Sequence, residues 1–197
     1  MEQSNVGHSI GEFNAASAGG ISMWRPQHLK DCLSAVTGDH GSPLLTALTR
    51  LVNEILKGNV PEFVRPILFG ANLVALRKKD GGLRPIAVGE VFRRIAARCA
   101  LHEVGRTVTE LTCPLQLGCG VSGGIDAGIH AARAALSTTF SDHIMLKVNF
   151  ANAFNCVRRD HIHESIVNYV PSLSPFFKMC YAEETHLYFG EHVSHII

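Results

Sequence analysis

Seven basic residues crowd one short stretch. Arg77, Lys78, Lys79, Arg84, Arg93, Arg94 and Arg98 stand against only Asp80 and Glu90 between positions 77 and 98. Lysine offers a mobile point charge and arginine a planar fork of donors, and both suit phosphate oxygens. The whole chain carries a formal net charge of +1, so any pull on a polyanion is local. The competing reading is a solvated charged face, the commoner origin of a basic run. Other spacings carry less. Gly120-Val121-Ser122-Gly123-Gly124 fits the G-x-S-x-G nucleophile elbow, but that turn needs a strand before it, and Pro114, Gly118 and Gly120 break one there. His161 and His163 are two apart on an expected helix and point to different faces. His192 and His195 are three apart on an expected strand and face opposite sides. Neither pair reads as a metal site. The cysteines at 32, 99, 113, 119, 156 and 180 contain no C-x-x-C spacing, so neither a zinc knuckle nor a redox motif is expected.

The elements that must position these groups follow from periodicity. Pro26 opens a helix carrying Leu29, Leu33 and Val36, which Gly38 ends. Ser42-Pro43 opens a second, with Leu44, Leu48, Val52, Ile55 and Leu56 on one face and Gly58 as its stop. Residues 67–77 and 83–88 are β-like runs, joined by KKDGG, whose Asp-Gly is a hairpin signal. Helical periods return over 90–104 and 124–137. An almost wholly apolar run at 144–150 reads as a buried strand, followed by helices near 160–170 and 173–182. The tail HLYFGEHVSHII reads as a hairpin about Gly190. Residues 1–22, rich in Gly, Ser, Asn and Ala, read as a flexible lead-in.

Composition fits a folded globular chain: 197 residues, 46% hydrophobic and 18% charged. No secretory signal is evident and no apolar run approaches the ~18 residues of a membrane span. No membrane partner is therefore expected. Reduced thiols suit an intracellular setting, nucleus or cytoplasm.

Four stretches, in order, resemble the reverse transcriptase of a non-LTR (LINE-type) retrotransposon. KKDGGLRPIAV at 78–88, followed by FRRIAARCAL, is similar to the fingers hairpin and its helix. QLGCGVSGGIDAGIHAARAAL at 116–136 resembles the glycine-containing segment before the palm. KVNFANAFNCVRRDHI, closing at Ile162, resembles the first catalytic palm motif, and LYFGEHVSHII resembles the hairpin leading to the next. Upstream, SAGGISMWRPQHLK resembles the Pro-Asp-Gly opening segment, but carries Ile21, Ser22 and Met23 where Pro, Asp and Gly are usual.

The resemblance implies an α+β chain: an incomplete right-hand polymerase fold, fingers and part of the palm, with an N-terminal helical segment. Its divisions would be a lead-in at 1–22, a helical segment at 23–66, a fingers-like region at 67–142 and a partial palm at 143–197. It implies that Lys78 and Arg84 face an incoming triphosphate. Backbone N–H groups near Asn152 and Ala153 would meet the same triphosphate, and Phe154 would stand where a bulky residue excludes a ribose 2′-OH. Members of that family hold Mg²⁺ with three aspartates. Asn149 occupies the position of the first, and an amide is a weak ligand for a hard cation. The Asp-Asp hairpin that would supply the others is not in this sequence. Loss of polymerase activity is therefore expected, with no cofactor and no metal held. Partners implied are RNA, DNA or an RNA–DNA hybrid through phosphate contacts, and self-association through an uncovered palm strand. The alternative reading is a non-enzymatic nucleic-acid-binding module that uses the basic hairpin, with Lys78, Lys79, Arg84, Arg93 and Arg94 as its phosphate contacts.

Overall fold

Leu48, Val52 and Ile55 fall on one stripe of a helix, and that stripe organises the core. The computed structural model describes residues 1–34, 41–138, 144–150, 153 and 156–196. Helix α1 spans Gln3–Gly11, α2 Pro26–Leu33, and α3 Gly41–Lys57. A single 3₁₀ turn at Glu62–Val64 leads into the short α4, Arg65–Leu68. Strands β1 (Ala71–Arg77) and β2 (Leu83–Gly89) form a hairpin. The long α5, Val91–Thr112, follows, then α6, Gly124–Thr138. Helices α7 (Arg159–Tyr169) and α8 (Ser174–Tyr181) precede a second hairpin, β3 (Thr185–Phe189) and β4 (His192–Ile196). The chain is a mixed α+β structure.

Helix α3 lays its stripe against α1 and α5. Helix α5 answers with Val91, Ile95, Ala96, Cys99 and Val104, all buried at helical spacing. Phe69, Leu68 and Cys180 close the cluster from outside the helices' seam. Each fully buried Val, Ile or Phe side chain contributes roughly 1.5–3 kcal/mol, so this seam is the main source of order for the elements around it.

Two expectations are corrected. The first is the flexible lead-in at 1–22. Residues 3–11 form α1, with Val6 and Ile10, and Phe13 just beyond its end, buried in the core. These three are spaced i, i+4, i+7, one helical face among otherwise polar and small residues, and α3 and α5 supply the partner that makes the face worth burying. The second is the buried strand at 144–150. That stretch carries no regular secondary structure, and its apolar side chains are exposed, Ile144 at 94% and Leu146 at 81%. A strand exists through its hydrogen-bonded neighbours. Both edges of β1 are taken, by β2 and β3, and β4 pairs with β3. Among the described residues no pairing reaches 144–150. Smaller differences lie at boundaries. Residues 65–68 are helical, with Pro66 in the first turn, and α5 runs eight residues beyond 104.

The sheet has the order β2-β1-β3-β4. Strand β1 pairs antiparallel with β2 over its whole length, from Ala71 opposite Gly89 to Arg77 opposite Leu83. It pairs parallel with β3 only at Ala71 and Asn72. Burial falls away along the hairpin accordingly: Ala71 and Gly89 are buried, and the residues toward the turn are exposed. The β1–β2 hairpin therefore projects from the core with its base anchored and its tip in solvent. No described helix is long and apolar enough to cross a membrane.

Candidate nucleic-acid interface

The hairpin turn is built by its own residues. Lys78 N–H donates to the Gly82 carbonyl at 2.7 Å, and Gly81 N–H donates to the Lys78 carbonyl at 3.1 Å. The Asp80 carboxylate accepts from Gly82 N–H at 3.0 Å. Gly81 sits at φ 86°, a left-handed conformation that glycine takes without the steric cost of a side chain. Directly opposed residues of an antiparallel pair share a face, so Arg84, opposite Leu76, lies on the same face as Leu76 and Lys78. Lys78, Lys79, Asp80 and Arg84 line one open groove with Leu76 and Arg77. Among the described residues none of these four cations is ion-paired. The tip is thus a small platform where charge and exposed apolar surface, Leu76 and Leu83, lie side by side.

Arg93 and Arg94 are placed elsewhere. They lie on the first turn of α5 and are bound inward. Arg93 Nη1 donates to the Phe69 carbonyl at 2.8 Å, and its guanidinium lies along Gly89, where a Cβ would stand 3.0 Å from Nη2. Arg94 Nη1 donates to the Ala18 carbonyl at 2.8 Å, and its guanidinium sits 5.1 Å from the centre of the Phe13 ring. Burial, with the neighbouring Arg98, lowers the Arg94 guanidinium below its usual value. The structure therefore brings Lys78, Lys79 and Arg84 together, while Arg93 and Arg94 clamp the segments before α5 and the base of the hairpin.

The other expected site residues are scattered or lie outside the description. Asn149 belongs to the exposed stretch 144–150. Ala153 is exposed, and its carbonyl accepts from Cys156 N–H at 3.2 Å. Asn152 and Phe154 lie outside the described residues. Ser122 lies in a turn preceded by bends rather than a strand, so the hydrolase elbow has no scaffold. His163 stacks on Phe177, with ring centres 5.7 Å apart, and contacts Ser174 Oγ at 3.3 Å.

Sequence reading missed Glu90. It is 2% exposed and precedes α5 as its N-cap, with Oε1 accepting from Val91 N–H at 3.0 Å. An acidic residue directly before an apolar helical period is a helix-start signal, and that signal was present. Also missed was the meeting of His8, Glu12 and His102, whose donor atoms lie within 4.8 Å of one another. The i,i+4 spacing of His8 and Glu12 could mark one helix face only once α1 is recognised as a helix.

Comparison with known proteins gives one informative likeness. Over 119 residues, 60% of this chain, the sequence is 28% identical to the retrotransposable element SLACS 132 kDa protein of Trypanosoma brucei gambiense. The chain spans about a tenth of that protein's length, the matched stretch being 10% of it. No protein-family model matches the chain, and no solved structure matches it. The likeness is weak and partial, and it relates this chain to a retrotransposon protein.

Proposed function

We propose that this chain corresponds to the fingers and part of the palm of a non-LTR retrotransposon reverse transcriptase, and that it does not polymerise. The reading is supported by the four motif resemblances in order and by the likeness to a retrotransposon protein. Loss of activity is argued from Asn149. Two-metal phosphoryl transfer requires carboxylates that hold hard cations beside the reacting oxygens. The residues here do not fit Mg²⁺. Asn149 offers a neutral amide, and the stretch 144–150 around it contains Lys147 and no carboxylate. No catalytic step is therefore derived through a metal.

The second reading is a nucleic-acid-binding module, and one observation favours keeping it: the projecting hairpin with Lys78, Lys79 and Arg84 on one groove. Such a tip meets phosphates by charge, without reading bases, so binding is sequence-tolerant and falls with salt. Primer extension on an RNA template and anisotropy binding to the same labelled primer–template test both readings together. No extension with salt-sensitive binding favours the binding module. Neither extension nor binding favours an inactive remnant. Extension by this chain would overturn the loss of activity.

A further inference from the structure

Where α1 crosses α5, three metal-binding side chains converge outside the interface described above. His8 lies on α1 and Glu12, the residue that caps its C-terminal end, follows one turn later on the same side. His102 reaches them from α5. Glu12 Oε2 lies 2.7 Å from His102 Nε2, and Glu12 Oε1 lies 3.4 Å from His8 Nε2. The two imidazole rings meet edge-on with centres 5.6 Å apart. A four-coordinate Zn²⁺ with bonds of about 2.0–2.2 Å sets its donors roughly 3.3–3.5 Å apart. The Glu12–His8 spacing matches that figure, while the shorter Glu12–His102 spacing is a hydrogen bond that lengthens when a cation enters between the two groups. All three residues are exposed, so small rotations bring the third spacing in.

We propose that His8, Glu12 and His102 form a site for a borderline divalent cation of the Zn²⁺ class, which staples α1 to α5. Two imidazoles and one carboxylate suit Zn²⁺, Co²⁺ or Ni²⁺, while Mg²⁺ and Ca²⁺ prefer all-oxygen shells. The remaining coordination position faces solvent. Arg98 plays an outer role. Its Nη1 lies 3.1 Å from Glu12 Oε2, and its guanidinium is held 4.4 Å from the centre of the Phe13 ring. It orients the carboxylate as an outer-shell partner does, and its charge weakens the site relative to one without it. A plain ion-pair network is the rival account. Exposed pairs of this kind contribute little, and they give no reason for a second histidine to meet the same carboxylate.

The test uses the full chain freed of metal and titrated with Zn²⁺ alone, by calorimetry and thermal unfolding. The expected result is one equivalent bound, a raised melting temperature, and no such effect from Mg²⁺. His8→Ala and His102→Ala should each weaken binding at least tenfold. His8 has a side chain 67% exposed, so its variant keeps the fold, which far-UV circular dichroism checks. Because the chain has exposed thiols, Co²⁺ is titrated as well. A visible spectrum without thiolate charge transfer supports the site, and one with it assigns binding to cysteine and overturns the proposal. Absence of Zn²⁺ binding, or binding unchanged in either histidine variant, overturns it too.

Discussion

Ser22 gives Glu90 two hydrogen bonds across 68 positions of sequence, its backbone N–H to Oε2 at 3.0 Å and its hydroxyl to Oε1 at 2.6 Å. Gly20 makes the approach possible, since a Cβ there would stand 2.6 Å from the Glu90 Cα. The buried carboxylate thus ties the segment before α2 to the start of α5. Removing one partner of a buried charged group costs more than an average bond. Ser22→Ala should destabilise the chain by about 1.5–3 kcal/mol, and Glu90→Gln by at least as much, because the amide turns a donor toward existing donors. Urea unfolding midpoints measure both. An unchanged midpoint in Glu90→Gln would show that the carboxylate bonds do not hold the segment.

The hairpin makes a separate prediction. If its tip binds nucleic acid through phosphate, Lys78→Ala and Arg84→Ala should each weaken binding across all sequences alike and flatten the salt dependence by about one unit of log K against log salt. Arg93→Ala should instead lower stability, since its guanidinium holds the Phe69 carbonyl. Anisotropy over a salt series, run beside thermal unfolding, separates these effects. Equal salt slopes in wild type and the Lys78 and Arg84 variants would remove the tip from the interface.

Much of the helical and hairpin order was legible because it is local. The apolar stripe of α3, the Asp-Gly turn between β1 and β2, and the hairpin about Gly190 each need only neighbours in sequence. What was not legible depends on distant partners. Helix α1 has a weak apolar pattern in a polar composition, and only the presence of α3 and α5 makes it a helix. The run at 144–150 has a strand's composition, yet strand identity requires a paired edge. The basic residues divided in the same way. Their charge was visible in sequence, but whether an arginine points to solvent, like Arg84, or to a carbonyl, like Arg93, is decided by the carbonyls that folding brings near.

The thiols divide into two groups. Cys99 and Cys180 are buried, while Cys32, Cys113, Cys119 and Cys156 are exposed. Burial pushes the Cys180 thiol up from 9.0 to about 11 and raises that of Cys99 as well, against the Ser9 hydroxyl 3.3 Å from its sulfur. Since the thiolate is the nucleophile, iodoacetamide at mildly alkaline pH should label the four exposed cysteines well before these two, read by peptide mass spectrometry. The stability consequence has a definite sign. A raised folded value leaves stability intact below 9.0 and erodes it as pH climbs toward about 11, because the unfolded chain ionises first. Prompt labelling of Cys180 in the native chain would contradict its burial.

Asp160 responds to acid instead. The Arg158 guanidinium beside it, with the His161 N–H at 3.0 Å, holds its carboxyl down at about 2 from an ordinary 3.8. The stabilisation of the α7 start is therefore present above 3.8 and is lost as pH falls toward about 2. Both side chains are exposed, so the effect on global stability is small. A carboxyl-carbon NMR titration should find Asp160 depressed in the wild type and returned toward its ordinary value in Arg158→Ala. A normal value in the wild type would mean the pair does not persist in solution.

The exposed stretch 144–150 carries the last prediction. Ile144, Leu146 and Phe150 are 94%, 81% and 75% exposed, and they follow one another closely in the sequence. Isolated exposed apolar side chains are ordinary, but a contiguous run of large ones favours association. Covering such a residue contributes roughly 1.5–3 kcal/mol, enough for a few together to drive pairing of copies at moderate concentration. Sedimentation velocity should show species larger than monomer that grow with concentration. Leu146→Lys with Phe150→Lys should return the chain to monomer, because a paired interface would then bury two unpartnered charges from each copy. A wild-type chain that stays monomeric at every concentration, with cooperative unfolding independent of concentration, would show that this surface has no self-complementary partner.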